Sequence, residues 1–178
     1  MLDIIKNDEY MMKVLRSAAL LDLPDWWISA GFIRNKVWDV LHNFDRTPLN
    51  DIDVIYFEPI NPSIEMELFY NDQLSNIDPN ILWSVKNQSR MHLKNNMNAY
   101  WCSTDAVNKY PETPTAICVT LRNDKIILHY NYSFDELVKG IVKPTPYYDK
   151  DTDKHHIYLE RIRQKDWLNV WPKLKIER

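Results

Sequence analysis

Residues 50–57 read Asn-Asp-Ile-Asp-Val-Ile-Tyr-Phe. The second half of this segment is β-branched and aromatic, which is typical of a strand, whereas aspartate is among the residues that strands tolerate least. Residues i and i+2 of a strand point to the same face, so Asp51 and Asp53 project side by side from the edge of the predicted sheet. Two carboxylates held this close repel each other unless a cation, a proton or several donors separate them. The segment therefore predicts a divalent metal site with Asp51 and Asp53 as its ligands. The alternative is a solvent-facing strand end in which one aspartate caps a turn.

The residues before the aspartates predict a strand, a glycine turn and a helix. Residues 26–30 form a short apolar run, Gly31 follows, and residues 32–41 have a helical period. A tight strand-to-helix turn favours glycine, and the first N–H groups of a helix are free to bind an anion. Arg34 adds a charged fork that suits phosphate. We therefore predict that Gly31 and Arg34 bind nucleotide phosphates; the alternatives are an ordinary turn glycine and a surface arginine in an ion pair.

The rest of the chain predicts an α/β or α+β fold, with a mixed β-sheet and helices packed over it. The periodicity and the turn residues place the other elements as follows: a helix over 4–21, a helix from 61–63 through 74, a strand over 81–86 leading into a helix at 87–92, a helical turn at 104–107, a hairpin of strands 115–121 and 125–130, a helix starting at Ser133 with Gly140 as its C-cap, and a final helix from 154 to 170. The length of 178 residues suits one domain, residues 1–178.

Composition limits the classes of partner. The chain has a net charge of −3 and therefore lacks the excess of Lys and Arg expected of a protein that binds duplex nucleic acid. Duplex partners are disfavoured. The two cysteines, Cys102 and Cys118, are too few for a disulfide framework and favour free thiols in a reducing compartment. The sequence contains no signal peptide h-region and no apolar stretch of membrane-spanning length. These features predict a cytoplasmic protein with no membrane partner.

Two motifs carry a resemblance to a known superfamily. Residues 30–35, Ala-Gly-Phe-Ile-Arg-Asn, and residues 50–53, Asn-Asp-Ile-Asp, resemble the glycine-x-valine-arginine-aspartate and aspartate-x-aspartate motifs of CCA-adding enzymes and poly(A) polymerases. These enzymes share the head domain of nucleotidyltransferases of the DNA polymerase beta type. The resemblance implies a nucleotidyltransferase-type mixed sheet, a nucleoside triphosphate on Gly31 and Arg34, and Mg²⁺ or Mn²⁺ on Asp51 and Asp53.

The whole chain is also similar to a family of small bacterial nucleotidyltransferase-like proteins. That similarity extends beyond residues 26–57, where it is strongest, to the runs at residues 83–92, 165–167 and 171–172. Arg90 lies in the first of these runs, and we predict it as a third nucleotide-binding residue.

The chain departs from the superfamily pattern at three places. Ala30 stands where the first of two glycines is usual, and Asn35 stands where an aspartate is usual. Many relatives use a third carboxylate on a neighbouring strand, but the corresponding run at residues 86–88 is Lys-Asn-Gln. The nearest replacement acids are Glu65 and Glu67, of which a helical period allows at most one to serve, and Asp105.

Other residues that attract attention have simpler explanations. Adjacent His155 and His156 lack the i, i+4 spacing of helical metal ligands and fit a solvated helix start. His92 follows a predicted strand of the site, so the two interpretations are a contact with the nucleotide and a structural role, of which the structural role is favoured. Core packing is sufficient to explain five of the tryptophans: Trp26, Trp27, Trp83, Trp167 and Trp171.

The leading functional hypothesis is a metal-dependent nucleotidyltransferase that moves a nucleoside monophosphate from a nucleoside triphosphate to a hydroxyl acceptor. The acceptor, the base preference, the oligomeric state and the pathway cannot be predicted from the sequence. The alternative is a nucleotide-binding or protein-interaction module that retains the fold with weak catalysis, because no third acid follows the motif. A protein-binding adaptor without nucleotide affinity is the most distant hypothesis.

Overall fold

The computed structural model describes residues 1–178 as nine α-helices and seven strands, with two short 3-10 turns. The helices are α1 (Leu2–Lys6), α2 (Glu9–Ala19), α3 (Gly31–His42), α4 (Ile64–Ile77), α5 (Gln88–Lys94), α6 (Ser103–Asn108), α7 (Phe134–Val138), α8 (His155–Gln164) and α9 (Trp167–Val170). The strands are β1 (Trp27–Ser29), β2 (Ile52–Tyr56), β3 (Trp83–Asn87), β4 (Ile117–Arg122), β5 (Lys125–Tyr130), β6 (Ile141–Val142) and β7 (Lys175–Ile176).

Five of the strands form one mixed sheet in the order β3-β2-β1-β4-β5. Strands β2 and β3 are parallel and are connected through α4, whereas the β1–β2, β1–β4 and β4–β5 pairs are antiparallel. The register places Asp53 of β2 opposite Ser84 of β3, and Val54 opposite Ile28 of β1. The predicted α/β mixed sheet with helices packed over it is therefore confirmed.

Helix α3 is buried on two sides, and this fixes its position relative to the sheet. Its residues Phe32, Ile33 and Val37 belong to a core cluster of 22 buried residues that also includes apolar side chains of the sheet and of α2. Its residue Trp38 belongs to a second cluster of eight buried residues, most of them from the C-terminal part of the chain: Trp38, Val142, Tyr148, Tyr158, Ile162, Trp167, Trp171 and Leu174. The C-terminal segment is thus packed against α3.

The predicted helix over residues 4–21 is wrong as one continuous element. The chain breaks at Asn7, and Asp8 begins a second helix by accepting a hydrogen bond from the Met11 amide at 3.0 Å. The Asp8 carboxylate also pairs with Lys36 at 2.9 Å and with Arg46 at 2.5 Å. The apolar period continues across the break, so periodicity alone could not reveal an N-cap whose other partners come from α3 and from the loop after it.

The predicted final helix over 154–170 is also wrong as one element. Lys165 has an extended backbone, with φ −85° and ψ 122°, and separates α8 from α9. This change of direction brings the Trp167 ring to 5.2 Å from the Trp38 ring in an edge-to-face contact. Packing against α3 therefore overrides the local helical period.

The smaller predictions agree with the structure, except that the C-cap of α7 lies one residue earlier than predicted. The hairpin turn at residues 122–124 connects β4 and β5. Lys139 is the C-cap of α7, and Gly140 follows it with a φ of +70°, where a Cβ would lie 2.8 Å from Leu41. Cys102 and Cys118 are free. None of the helices combines the length and the apolarity needed to cross a bilayer.

Candidate active site

Asp51 and Asp53 lie at the N-terminal end of strand β2. Both line a cavity of about 620 Å³ between α3, the loop over residues 47–50 and the C-terminal helices; we call it the first cavity. Asp53 is half-buried in the strand and Asp51 is exposed immediately before it. Neither carboxylate forms an ion pair with the protein. The structure therefore brings the two predicted acids together and leaves their charge unneutralised.

The pKa of Asp53 shows the cost of this arrangement. Burial and then the nearby Asp51 charge raise the pKa of Asp53 to about 6, because Ser84, Arg34 and Lys165 offset them only in part. Mg²⁺ is commonly held by one or two carboxylates, with waters and substrate phosphates completing its octahedron. The donor set of Asp51 and Asp53 fits this kind of metal site, in which the nucleotide supplies further ligands.

No third acid forms a metal-binding group with the pair, although Asp166 lines the same cavity and accepts from Asn169 Nδ2. The structure contains no group of three or more His, Cys, Asp or Glu side chains placed to hold a metal. Glu67 is buried against Arg90, and Asp105 pairs with Lys109 at 2.8 Å. Glu65 is exposed on α4. None of these three acids lines the first cavity, so none replaces the missing carboxylate.

The turn from β1 into α3 has its unusual backbone at Ala30, which corrects the expectation that Gly31 makes the turn. Ala30 has φ 57° and ψ −115°, a conformation that favours glycine, while Gly31 is already the first residue of the helix. No side chain caps α3, so its first amides have no capping acceptor. A Cβ on Gly31 would lie 3.3 Å from Arg34 Nη2. Gly31 therefore makes room for the arginine, and Ala30 carries the strain.

Arg34 lines the first cavity as a buried cation without a carboxylate partner. Its Nε and Nη2 donate to Asn35 Oδ1 at 3.1 and 2.9 Å, and its Nη1 donates to Thr115 Oγ1 at 3.0 Å. The guanidinium lies 5.0 Å from the Trp38 ring and 4.7 Å from the Trp167 ring. Burial lowers the pKa of Arg34 to about 10, so the group stays charged at neutral pH. Of its five N–H groups, the two without a protein acceptor are available to an anion in the cavity.

The C-terminal helices form one wall of the first cavity. The periodicity of the sequence did not predict that these helices line the site. Lys165, Trp167 and Trp171 line the cavity. Trp171 Nε1 donates to Asp39 Oδ1 at 2.8 Å, and Asp39 Oδ2 accepts from the Thr47 amide at 3.0 Å. This network fixes the loop that leads into Asp51. The runs at residues 165–167 and 171–172 in the family resemblance were the only sequence signal for it.

Arg90 is not brought to the cavity. Its Nε and Nη2 donate to the two carboxylate oxygens of Glu67 at 2.7 and 2.5 Å, and it lines neither of the cavities at Asp53. Neither of the two adjacent histidines hydrogen-bonds to Asp51 or Asp53. His155 Nδ1 lies 2.8 Å from the Tyr148 carbonyl and His156 Nδ1 lies 2.8 Å from the Asp153 carbonyl.

A second cavity, of about 640 Å³, meets the first at Asp53. The two share Ala30, Asp53, Thr115 and Arg161 in their linings. Arg161 is held by Glu112, which is fully buried and accepts from its Nε at 2.6 Å. The sequence did not predict Arg161 or Thr115 as site residues, because only the tertiary fold places them beside Asp53 in the lining of both cavities.

Comparisons with known proteins agree with this geometry. A family model described as nucleotidyltransferase matches residues 16–176. A solution NMR structure described as revealing a CCA-adding enzyme head domain is similar to this chain, with 30% sequence identity and a TM-score of 0.89 over 100% of this chain and 96% of that one. No curated protein matches.

Two larger structures share the fold. A CCA-adding enzyme in its apo form has 13% identity and a TM-score of 0.59 over 99% of this chain and 42% of its own. A tRNA-processing enzyme complex has 15% identity and a TM-score of 0.53 over 93% of this chain and 43% of its own. At these identities the likeness concerns the fold alone.

Proposed function

This chain belongs to the nucleotidyltransferase family, and on that premise we propose that it transfers a nucleoside monophosphate from a nucleoside triphosphate to a hydroxyl acceptor, in a reaction that requires Mg²⁺ or Mn²⁺. The observation that carries the proposal is the pair of unneutralised carboxylates, Asp51 and Asp53, in a cavity beside the uncapped start of α3. Asp51 and Asp53 would hold the cation, which supplies charge neutralisation for the triphosphate and polarises the attacking oxygen.

The other residues of the first cavity suit a triphosphate. The first amides of α3 and the Arg34 guanidinium face the same cavity as the acids. A buried cation without a carboxylate partner is costly, so an anionic phosphate beside Arg34 lowers that cost. Lys165 lines the same cavity and adds a second positive charge. We assign Gly31, Arg34 and Lys165 to the phosphates and leave Arg90 out of this set, because Glu67 already occupies its guanidinium.

The test is metal-dependent nucleotide binding followed by label transfer. ATP, GTP, CTP and UTP are titrated with Mg²⁺ or Mn²⁺ into the wild type and into the Asp51→Asn, Asp53→Asn double variant, with binding followed by calorimetry. We expect binding that requires metal and is lost in the double variant. Asp72→Asn is the matched control, because Asp72 is exposed on α4 and makes no hydrogen bond or ion pair. The proposal would be overturned if nucleotide affinity were the same with and without metal and the same in the wild type and the double variant.

A nucleotide-binding module with weak catalysis is the second candidate, favoured by the lack of any three-acid group. It predicts the same metal-dependent binding without turnover. Transfer from an α-phosphate-labelled triphosphate in a single turnover, with acceptors present in excess, distinguishes the two functions.

A further inference from the structure

The second cavity has two chemically different ends. One end adjoins the first cavity and contains Asp53 and Arg161, which both cavities share. The other end adjoins a third cavity of about 520 Å³ through shared residues that include Lys109, Asp153 and Lys154. A ligand in the second cavity therefore reaches Asp53 at one end and lysines at the other.

Positive charge is concentrated in this cavity although the chain as a whole is acidic, with a net charge of −3. Five cations line it against two carboxylates: Lys86, Lys94, Lys109, Lys154 and Arg161 against Asp53 and Asp153. Lys86, Lys109 and Arg161 have carboxylate partners in Glu67, Asp105 and Glu112, which lie outside the lining.

Lys94 and Lys154 have no carboxylate partner. Lys94 is exposed and makes no hydrogen bond or ion pair. Lys154 Nζ donates only to the backbone carbonyls of Asn95 and Asn96, at 3.0 and 2.9 Å, which leaves one of its three N–H groups free. These two ammonium groups are the cations of the lining without a carboxylate partner, just as Asp53 and Asp153 are its carboxylates without an ion pair. An anion is the ligand that the two lysines suit.

We propose that the second cavity binds the acceptor, and that the acceptor is a small hydroxyl compound that carries a phosphate. This inference rests on the proposed function, because it assigns the triphosphate to the first cavity. In-line displacement places the attacking oxygen opposite the leaving group. The second cavity contains Asp53 but none of the α3 residues that line the first, so we assign the acceptor hydroxyl to its side of Asp53.

The reaction then balances simply. The acceptor oxygen forms a bond to the α-phosphorus, the bond from that phosphorus to the bridging oxygen breaks, and pyrophosphate leaves with the electron pair. The hydroxyl proton passes to solvent. A volume of about 640 Å³ is typical of sites for small molecules. The phosphate of the acceptor lies at Lys94 and Lys154, and its hydroxyl lies at Asp53.

The experiment uses NMR spectra of the full ¹⁵N-labelled chain, with glycerol 3-phosphate and glycerol as a matched pair of probes and inorganic phosphate as a third. We expect the two phosphate compounds, but not glycerol, to shift the amides at residues 94–96, 109 and 153–156. Lys94→Glu is expected to weaken this binding by about tenfold or more. Lys125→Glu is the matched control, because Lys125 is exposed on β5 and has no partner. Lys154→Gln is a second variant at the same end.

The outcomes separate the two proposals. Shifts confined to residues 31–35, equal weakening by Lys94→Glu and Lys125→Glu, or no shift with any probe would each overturn the acceptor assignment while nucleotide binding in the first cavity stands. A short single-stranded oligonucleotide with a 3′-hydroxyl forms the last arm; if it binds at Lys94 and the small phosphates do not, the small-molecule class is wrong. If nucleotides fail to bind the first cavity, the proposed function fails, and an anion at Lys94 is then not an acceptor.

Discussion

Glu67 and Asp53 are two buried or half-buried carboxylates near the same pair of parallel strands, and they differ in what surrounds them. Glu67 is 1% exposed and accepts hydrogen bonds from Arg90 and from the Asn87 amide, with Lys86 at 3.5 Å. Asp53 lines two cavities and has no ion pair, and its pKa is raised to about 6 by burial and by Asp51. An acid whose charge the protein neutralises belongs to the fold, whereas an acid left unneutralised in a cavity is available to a ligand.

Replacing Asp53 is expected to produce the largest effect, and in opposite directions for function and stability. Asp53→Asn should reduce label transfer by about a thousandfold, because a carboxylate ligand of the metal is lost. The same change removes a buried charge and its repulsion with Asp51, so the metal-free protein should become more stable by about 1 kcal/mol. Transfer assays and urea unfolding in EDTA measure the two effects. Transfer within tenfold of the wild type would contradict the metal-ligand role.

Glu67→Gln tests the other half of the comparison. The free energy of unfolding should fall by about 2–4 kcal/mol, because the change breaks a buried pair and leaves Arg90 with a neutral partner. Label transfer per folded molecule should not change. Urea unfolding and transfer at a temperature where the variant is fully folded are the measurements.

Arg90→Gln removes the other partner of the Glu67–Arg90 ion pair and serves as the control for Glu67→Gln. It should lower stability without weakening nucleotide binding. A selective loss of nucleotide affinity in the folded Arg90→Gln protein would restore Arg90 to the phosphate-binding set.

Asp8 is a second acid with ion-pair partners, and it should make the free energy of unfolding depend on pH. Burial raises its pKa, but the Met11 amide, Arg46 and Lys36 outweigh burial and lower the pKa of Asp8 to about 2. A lowered pKa stabilises the fold above the unfolded value near 4, and this contribution of about 2 kcal/mol is lost as the pH falls from 4 toward 2. Urea unfolding at pH 5 and pH 2.5 should show a smaller difference for Asp8→Asn, which keeps the N-cap, than for the wild type. Equal differences would show that Asp8 does not contribute.

Gly31→Ala tests whether the position of Arg34 determines phosphate binding. The new Cβ would lie 3.3 Å from Arg34 Nη2, and Asn35, Thr115 and the two tryptophan rings limit how far the guanidinium can move. Nucleotide affinity should therefore fall by about tenfold, or 1.4 kcal/mol, in calorimetry. Unchanged affinity would indicate that the position of Arg34 does not matter for phosphate binding.

Ala30→Gly should have the smallest effect. Glycine relieves the strain of φ 57° and ψ −115° but adds backbone entropy to the unfolded chain. The net gain in the free energy of unfolding should be about 0.5–1 kcal/mol, measured by urea unfolding. A loss of stability would show that the turn is not strained at Ala30.

Much of the site could be predicted from short segments. The aspartate strand, the helix that follows the glycine and the late hairpin all lie close to their predicted bounds, because each depends on side chains that are neighbours in sequence. The predictions that failed are those in which distant residues decide the outcome. Asp8 begins α2 with help from Lys36 and Arg46, and Lys165 interrupts the final helix so that Trp167 can pack on Trp38.

The sequence by itself determined the class of fold and the acidic pair, since residues i and i+2 at the start of a strand lie close together on one face. Only the tertiary structure decided which charges stay unneutralised. Glu67 and Arg90 are 23 residues apart and neutralise each other, whereas Arg34 and Thr115, 81 residues apart, meet without a carboxylate. The physical reason is that a charge is neutralised by its neighbours in space, and periodicity along the chain carries no information about them.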